Sequence, residues 1–521
     1  MANKRVFGTY PGALLPGADT RNEHGAPSYR FTPEHSLAHY AATGCLNDTF
    51  YASAETQLEA VLKLCGDVEP EFIAKAAIHA RKRGLMKDLP ALLCSALAVK
   101  SPELLERAFP RVIDSPRMLR NFVQMVRSGV TGRKSLGSRP KRLVLRWLDS
   151  RGEEALFRAA IGESPSLADI VKMVHPHPEG KSREAFYGWL LGRPHDAEAL
   201  PGIVREYEAF KDAAPGSRPK IPDVPFQYLT SLELDKREWK SIAERVSWQT
   251  LRMNLNTFLR HGVFEDAGTT RLLAGKLRDP LEVSRAKVFP YQLLCAYRNA
   301  DGRLPSEIRE ALQDALDAAV ANVPEIEGKV FVFPDVSGSM RSPVTGSRKG
   351  STSKVQCVDV AALVASAMLR RNKDAEIVAF SDDVVPCVLN PRDSVVTNSE
   401  KLAGLPSGGT DCSAPLRSLN GRKAGGDLVV YVSDNQSWVD TVAGGAPTAT
   451  MTEWARFKRR SPNAKMVCVN IQPYGEAQAK PGEDILHVAG FSDQVFDLMA
   501  AIASGNAGPD WWVDQIREVE L

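Results

Sequence analysis

Between about residues 56 and 320, apolar residues return every three to four positions. TQLEAVLKLCG, EFIAKAAIHARKRG, LPALLCSALAVKS, PELLERAF and RMLRNFVQMVRSG all keep this spacing and are broken by Gly, Pro or Asp. The spacing predicts amphipathic helices joined as hairpins. They recur roughly every 15 to 20 residues without a strict sequence period, which fits an irregular α-solenoid better than a compact bundle. The Pro-rich stretch PGSRPKIPDVP (residues 215–225) reads as a loop inside this region, because REWKSIAERV and LRMNLNTFLRHG resume the helical pattern. After Lys329 the grammar changes. KVFVFPDV, AEIVAFS, DLVVYVSD and KMVCVNI are short β-rich apolar runs, alternating with helical stretches such as VQCVDVAALVASAMLRR and EWARFKRR. Strands alternating with helices predict a mostly parallel sheet wrapped by helices.

In such sheets ligands sit beyond the carboxyl ends of the strands, so the residues just after each strand are where chemistry is expected. VFVFP runs into DVSGSM, which places Asp335, Ser337 and Ser339 at alternate positions of one loop. PSGGTDCS presents Thr410 and Asp411 in a second loop, and VSDN ends a third strand on Asp434. Carboxylates and hydroxyls are hard oxygen ligands that suit Mg²⁺, with a position left open for a partner's acidic oxygen. The competing reading of Asp-Ser-Gly-Ser as a simple helix cap leaves Thr410 and Asp434 at the ends of other strands unexplained.

Composition bounds the picture. The 521 residues are 43% apolar and 25% charged, which excludes bulk disorder, and the length suits two to four domains with cores of their own. No apolar run reaches the roughly 18 residues of a membrane span, and the N-terminus lacks a secretory apolar stretch, so a cytoplasmic protein with no membrane partner is expected. The eight cysteines are scattered without zinc-type spacing and read as buried thiols in a reducing compartment. The formal charge is only +3, yet residues 111–151 hold eleven basic side chains against Asp114 and Asp149 alone. Within that stretch, RSGVTGRKSLGSRPKRLVLRWLDS sets Arg133, Lys134, Arg139, Lys141, Arg142 and Arg146 in and after a Gly/Ser/Pro loop that enters a helix. A basic loop at a helix start suits phosphate oxygens, because helix-end amides add to the cation field. HARKRG, with His79 and Arg81, and KMVHPHP, with His175 and His177, extend the candidate surface; an imidazole there would stack on an unpaired base.

The DxSxS loop with a Thr and an Asp in two further loops resembles the metal-ion-dependent adhesion site of von Willebrand factor A (vWA) domains. The site's final Asp is commonly followed by Gly, and Asn435 stands there in this chain. Together with HSLAHYAATGCLNDTFY, IHARKRGLMKDLPALL, SGVTGRKSLGSRPKRLVLRWL, LRMNLNTFLRHG, RAKVFPYQLLCAYRNADG, FPDVSGSM, VAFSDDVVPC and PSGGTDCSAPL, it makes the chain resemble the Ro autoantigen family from about His35 onward. The resemblance implies a TROVE domain over residues 1–328, a solenoid of HEAT-like repeats closed into a ring, and a Rossmann-like α/β vWA domain over residues 329–521. It implies Mg²⁺ or another divalent cation on Asp335, Ser337, Ser339, Thr410 and Asp434, and RNA contacts at Arg133, Lys141 and His175. It further implies a monomer that binds Y RNA on its outer surface and single-stranded ends of misfolded noncoding RNA in the ring. A 3′-to-5′ exoribonuclease tethered through Y RNA, and roles in RNA quality control, rRNA maturation and stress survival, belong to the same expectation. Relative to the family, SLGSRP looks inserted near Arg139, and the longer RSPVTGSRKGSTS after Ser339 is expected to cover part of the metal loop.

Catalysis is not expected. HPHPEGKS lacks the first Gly of a P-loop, and no GxSxG elbow is present. A single cation held largely by hydroxyls binds more often than it cleaves. The alternative of another class is a protein-assembly scaffold in which the metal captures a partner carboxylate without RNA.

Overall fold

The computed structural model describes residues 15–521 apart from 45, 163, 215–216, 287, 289, 321–322, 324, 348–354, 373, 439–445, 491–493, 504 and 509. Two compact units divide them. One groups the described residues of Met1–Thr43, Asn47–Ser53 and Asn322–Asp514; the other groups those of Gly44–Leu46, Ala54–Ala321 and Gln515–Leu521. The expected boundary between residues 328 and 329 differs from this division at both chain ends, because the N-terminal segments pack with the sheet and the last residues group with the helices.

The strands in chain order are β1 (Thr20–Arg21), β2 (Pro27–Arg30), β3 (Val330–Pro334), β4 (Glu376–Ile377), β5 (Leu428–Ser433), β6 (Lys465–Asn470), β7 (Glu476–Ala477) and β8 (Ile485–Ala489). Five form a parallel sheet in the order β4-β3-β5-β6-β8. Strands β3, β5 and β8 are buried along their whole length, as the continuous apolar runs require of a sheet covered on both faces. From β3 the chain crosses through helix Cys357–Arg371 to β4 on one side, then returns to β5 on the other. The switch point lies between β3 and β5, and the loops beyond their carboxyl ends carry Asp335 and Asp434.

A second, antiparallel sheet joins β1, β2 and β7, with Tyr29 opposite Ala477. Tyr29 is fully buried in the core that Phe331, Phe333, Tyr431 and Trp454 build, so residues far upstream complete the α/β unit. Helix Pro33–Thr43 packs on β8, where the Asn470 amide reaches the rings of His39 and His487 at 3.5 and 3.4 Å. Tyr29→Ala is expected to destabilise this unit by about 3–5 kcal/mol, as for other large aromatic truncations, read by urea unfolding.

In the helical unit, helices Pro70–Lys82, Asp88–Lys100, Pro102–Val112 and Pro116–Ser128 pack as neighbours and next neighbours, the contact pattern of stacked hairpins. Their ends follow from sequence. Ser115 accepts the Met118 amide, Pro116 opens its helix, and Gly129 closes it at φ 94°. Helix Ser138–Asp149 buries Pro140, Leu143, Val144, Trp147 and Leu148, a stripe of helical period, and Trp147 Nε1 donates to the Ile113 carbonyl at 2.8 Å. At the far end of the chain, Lys75 Nζ donates to the Arg517 carbonyl at 2.8 Å, and Arg111 bonds the Glu520 carbonyl. The Pro-rich stretch is a connection between helices Gly202–Asp212 and Phe226–Thr230, with residues 215–216 outside the described set. Among the described residues, no helix is long and apolar enough to cross a membrane. The described cysteines carry free thiols; five are buried, Cys295 and Cys387 are half-buried, and Cys45 lies outside the described residues.

Candidate metal centre and nucleic-acid interface

Register puts the first carboxylate in place. Pro334 pairs with Val432, the Asp335 amide donates to the Val432 carbonyl at 3.0 Å, and the Val336 amide to the Phe380 carbonyl at 2.9 Å. The Asp335 carboxylate accepts the Ser337 amide at 2.8 Å and the Ser433 hydroxyl at 2.6 Å. The Ser337 and Ser339 hydroxyls lie 3.3 Å apart, and Ser339 hydrogen-bonds Asp434. Gly338 N donates to the Gly408 carbonyl at 2.9 Å, which ties the DxSxS loop to the loop of Thr410. The Trp438 amide and Ser437 hydroxyl hold the Thr410 carbonyl at 3.1 and 3.2 Å, joining that loop to the one that carries Asp434. All five expected ligands are buried, none more than 5% exposed.

Burial, and then the neighbouring Asp434 charge, push the Asp335 carboxyl up to about 7. Burial also raises Asp434, against the hydrogen bonds from Ser339 and the Gln436 amide. Two carboxylates that repel each other in a dry pocket, with three hydroxyls beside them, make a donor set that a hard divalent cation neutralises. Among the described residues, no group of three or more His, Cys, Asp or Glu side chains is arranged around a metal position, so any cation held here depends on the hydroxyls. Asn435 adopts φ 60°, the left-handed conformation that the Gly common at this position takes freely and Asn tolerates. Asp411 is committed elsewhere: it accepts the Ser413 amide and hydroxyl at 2.8 and 2.6 Å and pairs with Arg417 at 2.6 Å. Of the insertion after Ser339, residues 348–354 lie outside the described set.

Sequence reasoning missed the residues that lie over this site. Tyr51 hydrogen-bonds Ser339, and its hydroxyl meets His24 Nε2 at 2.7 Å. No local motif marks them, since they stand nearly 300 residues or more from the loops they touch.

The basic residues of the helical unit separate into two groups. Arg81 pairs with Asp114 through two nitrogens, with Nε and Nη2 at 3.0 and 2.8 Å from Oδ1. Arg133 donates to the Ala98 carbonyl at 2.7 Å, Arg139 pairs with Glu103, and His79 is buried. These four are engaged within the fold. Lys134, Arg142 and Arg146 are exposed and Lys141 is half-buried; among the described residues none of the four has an ion pair or a side-chain hydrogen bond. Arg142 and Arg146 stand one turn apart on the outward face of helix Ser138–Asp149, where like charges repel until an anion arrives. His175 is exposed and caps helix Leu167–Val174 at φ 49°.

Two further features were not read from the sequence. Lys87, just before helix Asp88–Lys100, is repelled by Arg117 at the start of the packed helix Pro116–Ser128 and by Arg81 in the last turn of helix Pro70–Lys82. Burial first, then these neighbours, holds the Lys87 ammonium below its usual range, and burial with Arg117 does the same to Arg120. A cleft of about 530 Å³ is lined by Phe226, Glu233, Asn254, Thr257, Arg260 and His261, where the exposed His261 ring lies parallel on the buried Trp239 with centroids 4.0 Å apart.

The parallel sheet, the three loops at its carboxyl edge and the paired carboxylates define a von Willebrand factor A domain, and the other unit is a stack of helical hairpins. Residues 329–503 match the family model described as the Ro60 vWA domain. Over 523 aligned positions the chain is 25% identical to the RNA-binding protein RO60 of Deinococcus radiodurans, spanning 93% of this chain and 95% of that protein. The crystal structure of the Deinococcus radiodurans RO (RSR) protein superposes with a TM-score of 0.62 at 20% identity, covering 91% of this chain and 100% of that one. Along most of its length the chain is thus similar to a bacterial Ro protein, and its sheet-bearing part to the Ro60 vWA family model.

Proposed function

We propose that this chain is an Ro-type RNA-binding protein that holds polynucleotide by its phosphates on the helical unit and a divalent cation in its vWA domain. The observation that carries the reading is the outward set of Lys134, Lys141, Arg142 and Arg146, whose charges no side chain of the fold neutralises among the described residues. The RNA-binding name of the Deinococcus relative supports it. Y RNA on this face, single-stranded ends of misfolded or immature noncoding RNA in a central cavity, a tethered 3′-to-5′ exoribonuclease, action in the cytoplasm and work in RNA quality control, rRNA maturation and stress survival are what the Ro resemblance adds. The His261 platform, with Asn254, Thr257 and Arg260 around it, suits one unpaired base and its phosphate.

The cation would be held by Asp335, Ser337, Ser339, Thr410 and Asp434, where it supplies positive charge against the two buried carboxylates. The chain's own groups do the rest: Ser433 and the Ser337 amide fix the Asp335 carboxylate, and the Gln436 amide, at 3.2 Å, fixes Asp434. A single cation with two carboxylates lacks the second metal of a phosphodiesterase clamp, which supports a binding role rather than cleavage.

The test is the absorbance ratio at 260 and 280 nm of freshly purified protein before and after ribonuclease. Copurifying RNA that ribonuclease removes upholds the reading, and nucleic-acid-free protein that fails to bind added RNA overturns it in favour of a protein scaffold. In filter binding, His261→Ala should weaken single-stranded RNA by on the order of 10-fold, the worth of one stacked base, while duplex affinity stays within about 2-fold.

A further inference from the structure

The metal loops are covered by the chain's own N-terminal part, within the same compact unit. Two upstream segments are pinned over them. The first, around residues 22–26, is buttoned to the loop after Asp434: Asn22 Nδ2 donates to the Ser437 carbonyl at 2.5 Å, and the Glu23 amide donates to Gln436 Oε1 at 3.1 Å. Asn22 Oδ1 meanwhile accepts the His24 and Ala26 amides at 3.1 and 2.9 Å, so the turn that presents His24 is fixed from inside. The second segment, residues 47–51, is fastened to the chain just beyond the DxSxS loop. Asn47 Nδ2 donates to the Thr345 carbonyl at 2.7 Å, and Asp48 and Ser347 exchange backbone bonds of 3.2 and 2.7 Å. Where the two segments meet, the Tyr51 hydroxyl reaches both His24, at 2.7 Å, and Ser339, while the Tyr51 ring packs edge-on against Tyr474 with centroids 5.8 Å apart.

We propose that Tyr51, held by His24, is an additional ligand of the cation site formed by Asp335, Ser337, Ser339, Thr410 and Asp434, so that the position left open for a partner's carboxylate is filled by the chain itself. The inference rests on the reading of these five residues as a cation site. Its chemistry is simple. With His24 Nε2 as acceptor, the phenol proton goes to the imidazole, which leaves the lone pairs of the phenol oxygen free on the side of Ser339. A neutral oxygen suits a hard cation, and it adds no third negative charge to a pocket where two already repel. His24 acts through Tyr51 as a positioning residue, in the way a second group orients a metal ligand. Each segment is fastened by at least two hydrogen bonds to a different loop, so Tyr51 is seated before any ion binds.

The experiment measures Mn²⁺ binding to the full chain by electron paramagnetic resonance, and Tb³⁺ emission excited through tyrosine, for wild type, Asp335→Ala, Tyr51→Phe, His24→Ala and Tyr51→Ala. Tyr51→Phe and His24→Ala should each weaken Mn²⁺ by about 10-fold or more, and Tyr51→Phe should lose most of the sensitised Tb³⁺ emission. Added acetate should strengthen Mn²⁺ binding in Tyr51→Ala, where the position is vacated, and leave wild type unchanged. If Asp335→Ala abolishes Mn²⁺ binding while Tyr51→Phe keeps wild-type affinity and emission, the cation site stands and the role of Tyr51 is refuted. If Asp335→Ala binds Mn²⁺ as well as wild type, the cation site itself is refuted and the proposal with it.

Discussion

Asp335→Ala should abolish Mg²⁺ binding measured by calorimetry while changing RNA affinity by less than about 2-fold, because the carboxylate and the basic residues proposed to hold phosphate belong to different compact units. The loss is complete because Asp335 anchors the loop as well as lending charge: the Ser337 amide and the Ser433 hydroxyl both donate to it. Equal Mg²⁺ uptake by the variant would refute the ligand role. The same pair of carboxylates sets a pH dependence. Burial and Asp434 hold Asp335 at about 7 against 3.8 for the ordinary group, so below neutrality the metal-free folded chain keeps a proton that the unfolded chain gives up. The resulting stability is complete below the unfolded value and is lost as pH rises through the folded one. Metal-free stability should therefore fall from about pH 4 to about pH 7 by at most about 1.4 kcal/mol per pH unit from this group. Saturating Mg²⁺ should reverse the trend, since the cation favours the ionised pair. Urea unfolding at a series of pH values, with chelator or with Mg²⁺, reads both limbs, and Asp335→Ala should flatten the metal-free one.

Lys141→Glu with Arg142→Glu should lower affinity for structured RNA by on the order of 10- to 100-fold at moderate salt. It should also reduce the slope of log affinity against log salt by roughly 1.4 to 1.8, the share of two phosphate contacts. Lys141 and Arg142 are the pair to change because no partner inside the fold competes for them among the described residues. Reversing Arg139 instead would break its pair with Glu103 and mix local destabilisation into the result. Filter binding across salt concentrations separates the outcomes: unchanged affinity and slope would remove this face from the interface.

Both architectures were legible in the chain. The three-to-four spacing before residue 320 and the short apolar runs after Lys329 correspond to stacked helices and a parallel sheet because burial on one face or on two imposes these periods on any sequence that folds so. The placing of Asp335 and Asp434 was legible for the same reason, since the residue following an apolar strand stands at the carboxyl edge of the sheet. Less legible was the use of each basic residue. Arg81, Arg133 and Arg139 look like Lys141 and Arg142 in sequence. Asp114, the Ala98 carbonyl and Glu103 take them up, and the last two lie 35 and 36 residues away from the side chains they hold.

Local spacing alone determined the two classes of unit, the strand ends that carry Asp335 and Asp434, and the net charge of the basic segment, because these follow from neighbours within a few residues. Tertiary structure decided the rest. It placed Tyr29 in the core of the sheet, brought Tyr51 and His24 over Ser339, set Lys87 beside Arg117, and left Lys141 and Arg142 without a counter-charge among the described residues. Each of these depends on which distant backbone hydrogen bonds and apolar faces meet, and chain entropy keeps such meetings out of any short stretch of sequence.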